Sequence, residues 1–92
     1  MRYFSTAASA AGELHRAVAL ATQARDVALA AGSEVDAAPA RWRLAHHLYA
    51  VDRFEQARDE ARAASAALAD GPPSTARVWA ASVEVRALLM LN

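Results

Sequence analysis

The residues able to do chemistry in this chain are three histidines, ten carboxylates and ten arginines, with no cysteine and no lysine. His46 and His47 are neighbours, so on a helix their side chains point about 100° apart. A helical zinc site wants histidines at i and i+4, with a carboxylate or a third histidine nearby. His15 stands far from both in sequence. The spacing predicts surface or groove histidines and no metal site. No glycine-rich phosphate loop, nucleophile elbow or pair of inward carboxylates is visible. Neither catalysis, catalytic residues nor a cofactor is expected.

The charges themselves are balanced. Formal net charge is zero and the pI is about 6.8, which gives no overall electrostatic footprint for nucleic acid. Every basic residue is Arg, and Ile is missing too, a bias that a GC-rich genome explains. Without Cys there is no disulfide framework. Glu55, Asp59 and Glu60 with Arg58 and Arg62 read as a solvated, mixed-sign helix face. A second set is more specific. Once Leu44, Ala45 and Leu48 are assigned to packing, Trp42, Arg43, His46 and Tyr49 remain on another face. Aromatic side chains and Arg are the types that dominate binding hot spots, and Arg both forks onto carboxylates and stacks on rings.

The elements that would position these groups are helices. Breaks stand at Ala11-Gly12, Ala31-Gly32-Ser33, Asp52-Arg53 and Asp70-Gly71-Pro72-Pro73. They predict five helical segments, residues 1–11, 13–31, 36–51, 54–69 and 74–91. Gly12, Gly32 and Gly71 suit left-handed positions just past helix ends. Pro39 would lie deep in a third helix capped by Ser33, so Asp36 is the preferred cap. No strand alternation of useful length occurs. Hydrophobic residues make up 55% of the chain, but many are alanine, which buries little area and favours helix.

An internal repeat orders these segments. Leu14, Ala17, Ala21, Ala24 and Ala28 in one coincide, at a shift of 40 residues, with Phe54, Ala57, Ala61, Ala64 and Leu68 in another. Spacings of three and four put each set on one helical face. A face of alanines lets a neighbouring axis approach to the short end of the 8–10 Å range. Bulkier residues, Leu44 and Leu48, can then lie over it. A helix pair of this kind cannot bury its apolar face alone and stacks on neighbours.

This pattern resembles the tetratricopeptide repeat. The matching residues are Leu44, Ala45, Leu48, Asp52, Phe54, Ala57 and Ala64, preceded by Phe4, Ser5, Ala8, Gly12, Leu14, Ala17 and Ala24. A third unit has only a first helix, in register at a shift of 40 through Val85, Leu88 and Asn92, or at 37 through Trp79, Ser82 and Val85. The period departs from the family's usual ~34 residues and looks like longer-helix variants found in multidomain bacterial regulators. The resemblance implies an all-α fold, a right-handed superhelical array of antiparallel helix pairs with about five helices. It implies one domain over 1–92: repeat one at 1–31, repeat two at 33–69, and the first helix of repeat three at 73–92. The alternative is an alanine-rich five-helix bundle.

In that family the concave surface is built from first helices. Carried over by position, it would hold Arg2, Tyr3 and Thr6, then Trp42, Arg43, His46, Tyr49 and Arg53, then Trp79 and Arg86. This aromatic and cationic strip implies a protein-interaction module for a peptide or partner domain, acidic segments among them. The family's known carboxylate-binding Lys and Asn are not at these positions. Trp42 and Trp79 fit equally a packing role between repeats. Competing roles are structural, either a spacer in a larger bacterial transcriptional regulator or a homodimer through the apolar "VRALLMLN" helix. A small-molecule pocket among Trp42, Tyr49 and Trp79 is a third. No run approaches the ~20 apolar residues of a membrane helix, and no signal peptide is read at the N-terminus. A cytoplasmic protein, without membrane or direct nucleic-acid contact, is expected.

Overall fold

A computed structural model of the chain describes the backbone of residues 2–72 and 74–92, and the side chains of residues 12–72 and 74–92. The fold is all-α. Among the described residues four helices follow in order, α1 (Arg2–Ala30), α2 (Glu34–Ala50), α3 (Phe54–Leu68) and α4 (Thr75–Leu91). The sequence predicts five. The difference is Gly12, which lies inside the 29-residue α1 instead of ending a helix. Glycine weakens a helix interior by about 1 kcal/mol against Ala but does not by itself stop it.

The first two of the three interhelical turns close in the same way. At the first, the Ser33 N–H donates to the Ala28 carbonyl and the Gly32 N–H to the Leu29 carbonyl. At the second, the Arg53 N–H donates to the Leu48 carbonyl and the Asp52 N–H to the Tyr49 carbonyl. Both are Schellman closures, which need a left-handed residue after the helix. Gly32 supplies it at φ 83° and Asp52 at φ 64°. Gly71, expected in the same role, does not have a positive φ.

Ser33, and not Asp36, caps α2: its hydroxyl accepts from the Asp36 N–H at 3.0 Å. A serine cap stabilises by about 1 kcal/mol, and Glu34 and Asp36 in the first turn favour the positive end of the helix dipole. Together they offset Pro39, which sits inside the helix. Ser74 caps α4 likewise, accepting from the Arg77 N–H at 3.2 Å.

The core is a stack of three small layers, each with at least one residue from α2, α3 and α4. Ala38, Ala64 and Ala80 form one layer; Ala45, Ala61 and Val83 the next; Leu44, Leu48, Ala57 and Ala87 the third. The alanine face of α3 predicted from the repeat is therefore buried, with Ala57, Ala61 and Ala64 at 0% exposure. Leu44 and Leu48 are the two large α2 residues in it, and each contributes roughly 1.5–3 kcal/mol by burial. The small residues let the backbones close, while the leucines fill the end nearest α1, where Val18 and Ala21 pack on them. Helix α2 is central. It touches α1, α3 and α4, whereas among the described residues α1 makes backbone contact with neither α3 nor α4.

Candidate functional surface

Because α2 is flanked by three helices, only one side of it stays open. Val35, Pro39, Arg43, His46 and Ala50 are exposed along that side, at spacings of three and four that make a single stripe. Arg43 and His46 belong to the strip predicted from sequence. Trp42 stands at its edge toward α4, half-buried on the layer of Ala38, Ala64 and Ala80.

The Trp42 ring meets Trp79 of α4, centroid to centroid at 6.0 Å with planes 14° apart. The two residues lie 37 positions apart in the chain, so the shorter of the two third-unit shifts is the one that pairs them. Trp79 remains 41% exposed. The packing role and the surface role thus coincide in one pair: Trp42 fills the seam between α2 and α4, and Trp79 extends it as a shelf. The Arg43 guanidinium carbon lies 5.7 Å from the centroid of the Trp42 ring, within reach of a cation–π attraction. Two turns beyond Trp79, Arg86 is exposed on the same flank of α4.

Other predicted members are elsewhere. Tyr49 is half-buried, edge-on to Phe54 at 5.3 Å and packed against the layer of Ala45, Ala61 and Val83. It packs against the core rather than lying among the exposed residues of the stripe. Arg53 lies at the α2–α3 turn and lines a different cleft of about 310 Å³ with Thr22, Arg25, Gln56, Asp59 and Glu60. Arg2 and Tyr3, with Thr6, fall outside the residues whose side chains are described.

Two features escaped the sequence reading. The first is a trough of about 300 Å³ between α1 and α2, lined by Ala17, Leu20, Ala21, Ala24, Ala40, Arg43 and His47. It adjoins the tryptophan shelf, because Arg43 belongs to both. His47 forms part of its wall, with its Nδ1 buried and without a hydrogen-bond partner among the described residues. Burial, and then the neighbouring His46, push the His47 pKa below its ordinary 6.5. The adjacent imidazoles stand edge to face at 5.6 Å.

The second is an ionic clamp on the opposite side of α2. Glu60 of α3 pairs with Arg25 of α1 and, at 2.9 Å, with Arg41 of α2. Its side chain is only 13% exposed, so the sequence expectation of a solvated Glu60 is corrected. Burial works against the Arg25 charge, but its bonds to Asp26 and Glu60 outweigh that and raise its pKa. Arg62 reaches Glu84 of α4 at 2.9 Å, and Arg58 pairs with its neighbour Asp59.

The ion pairs among the described residues involve Arg25, Arg41, Arg58 and Arg62. Other arginines take no part in such pairs, Arg16, Arg53 and Arg77 among them. Arg43, over the Trp42 ring, and Arg86, two turns along α4 from Trp79, likewise have no carboxylate partner among the described residues. Exposed apolar surface is concentrated on α4, where Val78 is 67%, Val85 57% and Leu89 73% exposed. Among the described residues no helix is long and apolar enough to cross a membrane. No family model, curated protein or solved structure matches the chain.

Proposed function

We propose that the chain is a non-catalytic protein-interaction module, similar to the tetratricopeptide repeat, that holds a peptide or partner domain against the open side of α2 and the adjoining flank of α4. The repeat reading rests on α2 and α3 as its complete helix pair, with α1 as the packing helix before it and α4 as the first helix of the next pair. Support comes from the contact order, in which α2 touches the helix before it, the helix after it and, one further on, α4. It also comes from the buried alanine face of α3.

One observation carries the functional reading: a stacked Trp42–Trp79 pair, with Trp79 41% exposed, and over the Trp42 ring an Arg43 guanidinium that no described carboxylate neutralises. A rigid aromatic surface next to unspent guanidinium donors is what an acidic segment would use. An array of acidic peptides tests it. Arg43→Glu and Trp79→Ala should each abolish capture of the peptides that wild-type protein retains. Capture that survives both changes refutes the assignment of this face.

A second reading has its own observation. Val78, Val85 and Leu89 fall at i, i+7 and i+11 on α4 and are all more than half exposed. Such a stripe suits self-association, or packing as a spacer within a larger bacterial regulator. Light scattering separates the readings, since a monomer over a wide concentration range removes the homodimer.

A further inference from the structure

We infer that the ligand of this surface presents an apolar side chain, a carboxylate and a ring in succession, the carboxylate bound by Arg43 and flanked by the other two. This rests on the interaction reading above and goes further by assigning each ligand group to a place. Arg43 stands between an apolar trough and an aromatic shelf. On one side is the trough between α1 and α2, about 300 Å³ in volume, rimmed by Leu20 and closed by His47. On the other is the seam of α2 and α4, covered by Trp42 and Trp79. The Arg43 guanidinium lies over the Trp42 ring, and the same residue lines the trough, so Arg43 joins the two.

The chemistry of each place names its occupant. The trough is lined by side chains that, apart from Arg43 and His47, are wholly apolar, and its volume is at the lower bound of ligand pockets, roughly 300–1,000 Å³. It suits one aliphatic side chain. Leu20 is 58% exposed at its rim, and a seated aliphatic group would cover it. Arg43 is exposed and spends no donor on a described carboxylate, which leaves its fork for one from outside. The half-exposed ring of Trp79 accepts another ring or a guanidinium in a stacked or edge contact; the unpaired Arg43 on the adjoining Trp42 ring favours the uncharged ring.

The spacing follows from helix packing. Neighbouring axes stand 8–10 Å apart, so the middle of the trough and the middle of the seam are separated by about one such interval, ~10 Å. Extended chain covers that in about three residues. The ligand therefore crosses the helices, and its acidic residue falls between an aliphatic and an aromatic one within a span of about four residues.

Fluorescence anisotropy with fluorescein-labelled peptides tests this. The probe carries Leu-Glu-Ala-Tyr, in both orientations, between Gly-Ser ends. Comparison peptides replace Leu by Ala, Glu by Lys, or Tyr by Ala, or separate Leu from Tyr by a long Gly-Ser insert. Each change should weaken binding at least tenfold. On the protein, Ala24→Leu fills the trough from an exposed position, and unchanged circular dichroism would establish that the fold is kept. It should abolish the advantage of the Leu peptide over the Ala peptide and leave the Tyr dependence intact. Arg43→Glu should reverse the preference between Glu and Lys peptides. If acidic peptides bind, need Trp79 and Arg43, and ignore both Ala24→Leu and the loss of Leu, this inference is overturned while the interaction reading stands. No binding by any of the peptides also overturns it. So does a protein mass that doubles with concentration and returns to monomer in Ala24→Leu, which would assign the face to a second copy.

Discussion

The indole rings of Trp42 and Trp79 lie stacked at 6.0 Å across the seam between α2 and α4, joining two helices that the chain separates by the whole of α3. An offset aromatic pair contributes about 0.5–1.5 kcal/mol beyond its buried area. Trp79 is 41% exposed, so Trp79→Ala should cost only about 1–2 kcal/mol in urea denaturation. The exciton-coupled band of the stacked indoles should disappear from the circular dichroism spectrum. A loss of about 4 kcal/mol or more is the range of a buried ring and would turn Trp79 into a core residue with no surface role.

Glu60 ties three helices together, and its removal should be felt at α1 first. The carboxylate serves Arg25 and Arg41, whose side chains are 22% and 14% exposed. Charge-assisted bonds are worth roughly 1.5–3 kcal/mol when removed, less when water still reaches them. Glu60→Gln should destabilise the protein by about 1–2 kcal/mol, with a smaller difference at high salt. Glu55→Gln, at an exposed position of the same helix, should stay within about 0.5 kcal/mol. Amide exchange in residues 17–30 should quicken in Glu60→Gln, because α1 otherwise leans on α2 alone. Equal effects of the two substitutions would show Glu60 to be an ordinary surface charge.

How far the sequence could be read depended on whether a signal was local. The face of Ala57, Ala61 and Ala64 was legible because alternating steps of four and three leave few other burials for a helix. Glu60 lies three residues after Ala57 and four before Ala64, on the margin of that same face. The position was thus available, but its charge argued for solvent, and the arginines that satisfy it come from two other helices. The stripe of Arg43 and His46 followed from what α2 had to bury. Its neighbouring trough did not, since Ala24 and Ala40 become one cavity only when α1 and α2 are docked. Tyr49, placed on the groove from sequence, packs beside Phe54 and on the layer of Val83, contacts that come from α3 and α4 and leave no mark in the sequence of α2.

Pro39 occupies the interior of α2, where Ser33 is the cap. Its ring crowds the carbonyl of Val35 and leaves that carbonyl without the usual donor. The residue is exposed, so no core contact is lost on replacing it. Pro39→Ala should raise stability by about 1–3 kcal/mol, measured by urea denaturation. A decrease would mean that Pro39 stiffens the first turns of α2 by more than the missing bond costs.

Gly12 distinguishes four helices from five. Within α1 its conformation is ordinary: its φ is not positive, and an added Cβ would meet no described atom within 4 Å. Gly12→Ala should then stabilise by about 0.5–1 kcal/mol and increase helical ellipticity. Were residues 1–11 and 13–31 separate helices joined at a left-handed glycine, the same change would be strained and stability would fall. Thermal or urea unfolding of the single variant therefore decides whether the break read from sequence exists in solution.

His47 gives the fold a pH dependence of definite sign. Burial disfavours its imidazolium, and the neighbouring His46 adds to this, so its folded pKa lies below 6.5. Above pH 6.5 the imidazole is neutral in both folded and unfolded chains, and nothing is lost. As pH falls through 6.5 the unfolded chain takes up the proton first, and stability declines until the lower folded pKa is passed. A histidine carbon-proton titration by NMR should place the His47 midpoint under 6.5. The unfolding midpoint in urea should fall between pH 7.5 and 5.5, and should fall less in His47→Gln. Equal declines in both proteins would remove His47 as the cause. An unperturbed midpoint at 6.5 would mean that water or a ligand group reaches the Nδ1 that is buried and unpartnered within the described structure.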